Sequence, residues 1–136
     1  MTATVYVDAS AIVRLVRDEP GSAELVEFLD GCEVVSSDVA IVETMRALRR
    51  HADVEGLDPD GADALAFAAL EGMFLLVANA ETLVRAGRYG GSMRALDAIH
   101  VASAEAVGAV DVFVTYDERQ AVAARLAGLR TIAPGV

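Results

Sequence analysis

The sequence predicts an α/β domain in which helices cover both faces of a parallel β-sheet. Short apolar runs rich in β-branched residues alternate with longer segments of helical spacing along the 136 residues. This alternation is typical of a parallel sheet that is covered on both faces. The segments are separated by breaks at Pro20-Gly21, Gly56–Gly61, Gly90-Gly91 and Gly128. Since no repeat or linker divides the chain, residues 1–136 are predicted to form one domain.

Five segments have the composition of strands, with β-branched and aromatic residues bounded by turn-forming residues. They are Thr4–Val7, Glu33–Ser36, Met73–Val77, Val112–Thr115 and, with the weakest pattern, Thr131–Ile132. Seven further segments carry apolar residues at helical spacing. They are Ser10–Arg17, Ser22–Leu29, Val39–His51, Asp60–Leu70, Ala80–Arg88, Met93–Val107 and Glu118–Leu126. In such a sheet, a ligand site is expected beyond the carboxyl ends of the strands.

Charge and residue content exclude several functions. All eleven basic residues are Arg, so the chain lacks the Lys that a P-loop nucleotide site requires. The net charge of -10 argues against general nucleic-acid binding, although bound cations can reverse the sign at a local site. A single cysteine, Cys32, excludes an internal disulfide and a cysteine-based metal cage. No signal peptide or membrane-spanning run is recognisable, so a cytoplasmic protein is expected.

Four acidic residues stand out because of where the predicted elements place them. Asp8 directly follows the first strand, and Asp117 follows the fourth strand after one intervening residue. Glu43 lies on the helix after the second strand, and Asp97 lies on the apolar helix before the fourth. A carboxylate in such an apolar helix requires a partner, because an unpaired charge is rarely buried.

Each of these acids also has an ordinary structural interpretation. The two strand-end acids could be N-caps of the helices that follow them, and the second resembles a capping box. Each helical acid could pair with an arginine one turn away, Glu43 with Arg46 and Asp97 with Arg94. The apolar face around Asp97 argues against an exposed pair, so a metal rather than a salt bridge is its expected partner.

Taken together, the four acids predict a metal site. Carboxylates about 5 Å apart repel each other by roughly 3 kcal/mol per pair at an effective dielectric of about 20, so a cluster requires protons or cations. Carboxylate ligands without cysteine suit Mg²⁺ or Mn²⁺, which can activate a water for attack on a phosphodiester. Clustered carboxylates also raise each other's pKa. Removing one charge relieves this repulsion, so Asp97→Asn is expected to abolish phosphodiester cleavage without lowering the melting temperature in EDTA.

Four motifs, in order along the chain, resemble those of the PIN-domain ribonucleases. They are VDASAIV, the mid-chain glutamate of VETMRAL, RALDAIHVASA and VTYDERQ, which together run from about Thr4 to Arg119. Motif order and chain length are most similar to the VapC-type toxins of bacterial toxin–antitoxin pairs. The resemblance implies a three-layer α/β/α fold with a five-stranded parallel sheet, and cleavage of RNA that depends on Mg²⁺ or Mn²⁺.

The resemblance also implies roles for particular residues and a partner. It gives the catalytic, metal-binding acids as Asp8, Glu43, Asp97 and Asp117. Asp117 either binds the metal directly or supports it through water. The matching hydroxyl residues beside them are Ser10 and Thr115. A homodimer is implied, together with a small antitoxin that blocks the site. Because the site is acidic, the antitoxin is expected to insert an Arg or Lys near the carboxylates.

Three residues near the acids have two interpretations each. His100 lies one helical turn after Asp97 and could be a general base, although a packed histidine with local hydrogen bonds is the more ordinary interpretation. Arg46 and Arg50 share a helical face with Glu43. They could bind RNA phosphates at the rim of the site, or they could form an ordinary solvated surface.

Other functions are compatible with parts of this pattern. A receiver-like signalling domain also has an acidic Mg²⁺ pocket, but the lone Asp8 and the absence of Lys disfavour it. A PIN-like module without catalysis would only bind a partner, and four intact acids argue against it. An RNA-processing nuclease without an antitoxin would use the same site. A small reading frame beside the gene would favour the toxin.

Overall fold

The computed structural model of the chain describes residues 2–136 and contains a five-stranded sheet. In chain order the strands are β1 (Thr4–Val7), β2 (Glu33–Ser37), β3 (Phe74–Leu76), β4 (Val112–Val114) and β5 (Thr131–Ile132). The order across the sheet is β3-β2-β1-β4-β5, and each neighbouring pair is parallel. The predicted five-stranded parallel sheet is therefore confirmed.

Helices form at all seven predicted places. They are α1 (Ala9–Arg14), α2 (Ser22–Leu29), α3 (Val39–Glu55), α4 (Pro59–Leu70), α5 (Ala80–Gly87), α6 (Ala95–Val107) and α7 (Glu118–Leu126). The α3 helix is one turn longer than predicted and ends at Gly56, whose φ of 70° is a left-handed conformation that favours glycine. The α6 helix begins two residues later than predicted, because the backbone of Arg94 is extended. Within residues 2–136, no helix is both long and apolar enough to span a membrane.

Two apolar cores lie on opposite faces of the sheet and explain the three layers. Successive side chains of a strand point to opposite faces. On one face Val5 and Val7 of β1 pack with Ile12 of α1, and on the other face Tyr6 packs with Val101 of α6. All five side chains are fully buried. Because β1 is covered on both faces, it reads in the sequence as an almost continuous apolar run.

The strand order creates a crevice beside the central strand. From β1 the chain continues to β2 and β3 on one side, and it later adds β4 and β5 on the other. Ligands of open α/β sheets bind at such a switch point, outside the carboxyl ends of the strands. Val7 is paired in register with Val114, so Asp8 and Thr115, the next residues, emerge side by side at this edge.

Candidate active site

An open cavity of about 730 Å³ lies at this edge of the sheet. All four predicted acids line it: Asp8, Glu43, Asp97 and Asp117. Its walls also carry four arginines: Arg14, Arg46, Arg50 and Arg94. Folding therefore brings the acids of four separate motifs to one cavity, and their binding of a metal stays a prediction.

Asp8 is the most buried of the four acids, with 4% of its surface exposed. Its Oδ1 accepts hydrogen bonds from Ser10 Oγ at 2.6 Å and from the Ala11 amide at 3.2 Å, while Oδ2 accepts from Thr115 Oγ1 at 2.6 Å. Asp8 is thus the N-cap of α1 as well as a wall of the cavity. Burial raises the pKa of Asp8, and the nearby His100 and these hydrogen bonds oppose that rise only in part.

The hydroxyls of Ser10 and Thr115 hold Asp8 from two elements. Their oxygens are 3.3 Å apart, so α1 and the end of β4 meet at this carboxylate. Ser10 Oγ also accepts a hydrogen bond from the Tyr116 amide at 2.9 Å. Both residues therefore lie where the resemblance implies a supporting role, and a change at either one would loosen Asp8.

Arg94 joins two of the acids. Its Nε donates to Asp97 Oδ2 at 2.7 Å, and its Nη2 donates to Asp97 Oδ1 at 3.2 Å and to Asp117 Oδ2 at 3.0 Å. The expectation that Asp97 has no salt-bridge partner is therefore wrong. Because the extended backbone of Arg94 immediately precedes α6, its side chain lies against the first turn of the helix, where Asp97 is located.

Asp117 has a defined position because it begins α7. Its Oδ1 accepts hydrogen bonds from the amides of Arg119 at 2.9 Å and Gln120 at 3.4 Å, so the predicted N-cap is present. Burial alone raises the pKa of Asp117, but Arg94 and the two amides outweigh it and leave the pKa below its ordinary value. The Gln120 side chain donates to the carbonyl of Asp97 at 3.2 Å, which ties α7 to α6.

Glu43 reaches a histidine rather than Arg46, the partner considered from the sequence. Its Oε1 lies 2.6 Å from His100 Nε2, and His100 Nδ1 lies 2.7 Å from the Tyr6 hydroxyl. His100 is 1% exposed, so it is a packed histidine, as the more ordinary interpretation expected. Its hydrogen bonds are not local, however, since they reach Glu43 on α3 and Tyr6 on β1. Tyr6 is not marked by the sequence motifs, and its only signal is a phenol between Val5 and Val7 of β1.

The two arginines predicted to contact RNA lie on the cavity wall. Arg46 and Arg50 are exposed, and within residues 2–136 neither forms a salt bridge. Their guanidinium groups are therefore available to an anionic ligand. Arg14 is placed differently, since it lies 3.9 Å over the Tyr116 ring and donates to backbone carbonyls. It supports the wall of the cavity.

The donor set of the cavity fits a hard divalent cation. Four carboxylates and no thiolate match the ligand preference of Mg²⁺ and Mn²⁺. In the described conformation of residues 2–136, no three acid, histidine or cysteine side chains are arranged to hold one ion. The Arg94 guanidinium instead stands as the cation between Asp97 and Asp117. A metal that binds all of these acids therefore requires Arg94 to move.

Known proteins are similar to this chain in sequence and in fold. The family model of the PIN domain matches residues 5–126. Ribonuclease VapC46 of Mycobacterium tuberculosis is 38% identical over 137 residues, which is 97% of this chain and 98% of that protein. VapC20 of the same species, a sarcin-ricin loop cleaving toxin, aligns with a TM-score of 0.71 at 17% identity, over 96% of this chain and 99% of the other.

A second solved structure has the same fold. VapBC-1 from nontypeable Haemophilus influenzae aligns with a TM-score of 0.66 at 13% identity, over 96% of this chain and 97% of the other. The two alignments show that the chain has the α/β/α fold of these structures. By its motifs and its close sequence relatives, the chain belongs to the PIN-domain family, among the VapC ribonucleases. The resemblance inferred from the four motifs is thereby confirmed.

Proposed function

We propose that the protein is an endoribonuclease, dependent on Mg²⁺ or Mn²⁺, that acts as the toxin of a toxin–antitoxin pair. The observation that carries this proposal is that the acids of four separate motifs line one cavity: Asp8, Glu43, Asp97 and Asp117. RNA as the substrate is supported by the ribonuclease relatives, which align over almost the whole chain.

The four carboxylates are the residues that would hold the metal. When bound, a divalent cation lowers the pKa of a water and stabilises charge on a phosphodiester. The chain itself orients the acids. Ser10 and Thr115 hold Asp8 by short hydrogen bonds. Gln120 links the backbone at Asp97 to the start of α7.

Arginines would bind the substrate's phosphates. The net charge of -10 makes the protein repel RNA in general, so attraction has to be local. Arg46 and Arg50 provide two exposed guanidinium groups on the cavity wall. Guanidinium groups bind phosphate oxygens through paired hydrogen bonds. We assign these two arginines to positioning the RNA backbone.

The proposed antitoxin inserts an Arg or Lys among the carboxylates. Support comes from Arg94, because its guanidinium already lies between Asp97 and Asp117 with charge-assisted hydrogen bonds to both. A basic side chain of the partner would make equivalent contacts. Single replacements of basic residues in the antitoxin test this, and unchanged inhibition by all of them would refute it. The homodimer and the cytoplasmic location stay predictions from the resemblance.

The direct test uses antitoxin-free protein and total RNA, with Mn²⁺ or with EDTA. Cleavage is expected only with the metal, and attack by a metal-activated water leaves a 5′-phosphate and a 3′-hydroxyl. Asp8→Asn should be inactive. Asp63→Asn, which changes an acid outside the cavity, should cut like wild type. Full activity in EDTA, or 2′,3′-cyclic phosphate ends, would refute the proposal.

A further inference from the structure

We propose that Tyr6 is a positioning residue for Glu43 and acts on it through His100. The inference rests on the proposed function, in which Glu43 is one of the acids that hold the metal. Tyr6 lies in the central strand and is not among the residues to which the sequence motifs assign a role. Its hydroxyl is nevertheless connected to that set by a single buried side chain.

The three side chains form a continuous path of short hydrogen bonds from the sheet to the cavity. The Tyr6 hydroxyl is 2.7 Å from His100 Nδ1, and His100 Nε2 is 2.6 Å from Glu43 Oε1. Tyr6 is fully buried, and its ring stacks on Phe113 with 4.8 Å between ring centroids. The hydroxyl therefore has little freedom to move, and it anchors the path on the buried central strand.

The protons in this path can be assigned from the chemistry of its members. A carboxylate only accepts hydrogen bonds, so the Nε2 atom of His100 carries the N–H that donates to Glu43. A phenol can donate or accept, so the Tyr6 hydroxyl pairs with Nδ1 at the other end of the ring. Burial raises the pKa of Tyr6 above its ordinary range, so the phenol keeps its proton.

This path holds Glu43 in one orientation. A lone pair at Nε2 would face Glu43 Oε1 and repel it, so the carboxylate keeps the N–H at Nε2, and the bond from Tyr6 to Nδ1 holds the ring with that N–H directed at Oε1. With Oε1 engaged by His100, Oε2 makes no hydrogen bond to residues 2–136 and is available to a ligand in the cavity. Loss of outer hydrogen bonds of this kind typically weakens metal binding by about 10-fold to 100-fold.

The first experiment uses ¹⁵N NMR to determine which ring nitrogens of the histidines carry protons in the metal-free wild-type protein. The chain has two histidines, so a His51→Gln variant assigns the His100 signals. We expect Nε2 of His100 to carry a proton. A proton at Nδ1 alone, which leaves a lone pair at Nε2, would overturn the inference. This readout needs no metal and no RNA.

The second experiment compares Mn²⁺ affinity by calorimetry in wild type, Tyr6→Phe and Tyr89→Phe. Tyr89 is a matched control, because its hydroxyl also donates to a glutamate, Glu105, but it lies outside the cavity. Tyr6→Phe is expected to bind Mn²⁺ roughly tenfold more weakly than wild type, and Tyr89→Phe equally well. Equal affinity in all three proteins would overturn the inference.

A second variant pair covers the case in which Tyr6→Phe does not fold. His100→Gln keeps an amide N–H that can donate to Glu43, whereas His100→Leu keeps none. We expect the glutamine variant to bind Mn²⁺ more tightly, and equal affinity would overturn the inference. If wild type neither binds Mn²⁺ nor cuts RNA, the proposed function is refuted and this inference falls with it. If wild type does both and Tyr6→Phe binds equally, only the inference is refuted.

Discussion

Replacing Arg94 with glutamine is expected to strengthen metal binding, because Arg94 competes with the metal for two acids. In the structure its guanidinium donates two hydrogen bonds to Asp97 and one to Asp117. A cation that binds these carboxylates must first displace it. The Gln side chain is neutral and shorter, so it leaves both acids available and adds no competing charge.

The size of the effect follows from the exposure of Arg94. Its side chain is 47% exposed, so water screens both ion pairs and each contributes only about 1 kcal/mol. Two pairs together contribute about 2 kcal/mol, which corresponds to roughly a 30-fold gain in Mn²⁺ affinity when Arg94 is removed. In EDTA the same loss should lower the melting temperature by about 6 °C for a chain of this length.

Calorimetry with Mn²⁺ and thermal melts in EDTA measure the two effects. Arg49→Gln is the matched control, because Arg49 also makes a two-bond pair with an aspartate, Asp63, and its side chain is 48% exposed. That pair lies outside the cavity, so Arg49→Gln should leave Mn²⁺ affinity unchanged. If Arg94→Gln binds Mn²⁺ no more tightly than wild type does, Arg94 does not compete with the metal.

Three further predictions concern the acids and the cavity wall. In EDTA, Asp97→Asn should melt below wild type, contrary to the expectation from sequence, because it weakens the pair with Arg94. Asp8→Asn should melt no lower than wild type at pH 8. Because the pKa of Asp8 is higher in the folded state than in the unfolded chain, ionised Asp8 lowers the free energy of unfolding at neutral pH. This loss becomes smaller as the pH falls through the folded-state pKa. In thermal melts from pH 8 downward, the melting temperature of wild type should therefore rise relative to that of Asp8→Asn. A difference in melting temperature that does not change with pH would contradict this. Replacing both Arg46 and Arg50 with Gln should raise KM for RNA and flatten its salt dependence, and an unchanged salt dependence would remove them from RNA binding.

The positions of the four acids were predictable from the sequence for a simple reason. Asp8 and Asp117 follow strands, and parallel strands present their carboxyl ends at one edge. Both residues cap a helix and also line the cavity. From the sequence, the N-cap and the site residue are alternative interpretations of each acid, and in the structure each acid is both.

The contacts among side chains were not predictable in the same way. Tyr6 and His100 are separated by 94 residues, and Glu43 and His100 by 57, so no local spacing indicates their hydrogen bonds. The apolar helix face around Asp97 disfavours a pair with Arg94 only if Arg94 lies within the helix, as the predicted range Met93–Val107 places it. Its extended backbone instead places the guanidinium over the first turn, where it also reaches Asp117.

Mn²⁺ binding by wild type and by single variants of the acids tests most directly whether the cavity is a metal site. The variants are Asp8→Asn, Glu43→Gln, Asp97→Asn and Asp117→Asn, with Asp63→Asn as the control outside the cavity. Wild type and the control are expected to bind Mn²⁺ alike, and each of the four variants is expected to bind it more weakly. Absence of Mn²⁺ binding by wild type, or equal binding by all six proteins, would contradict it.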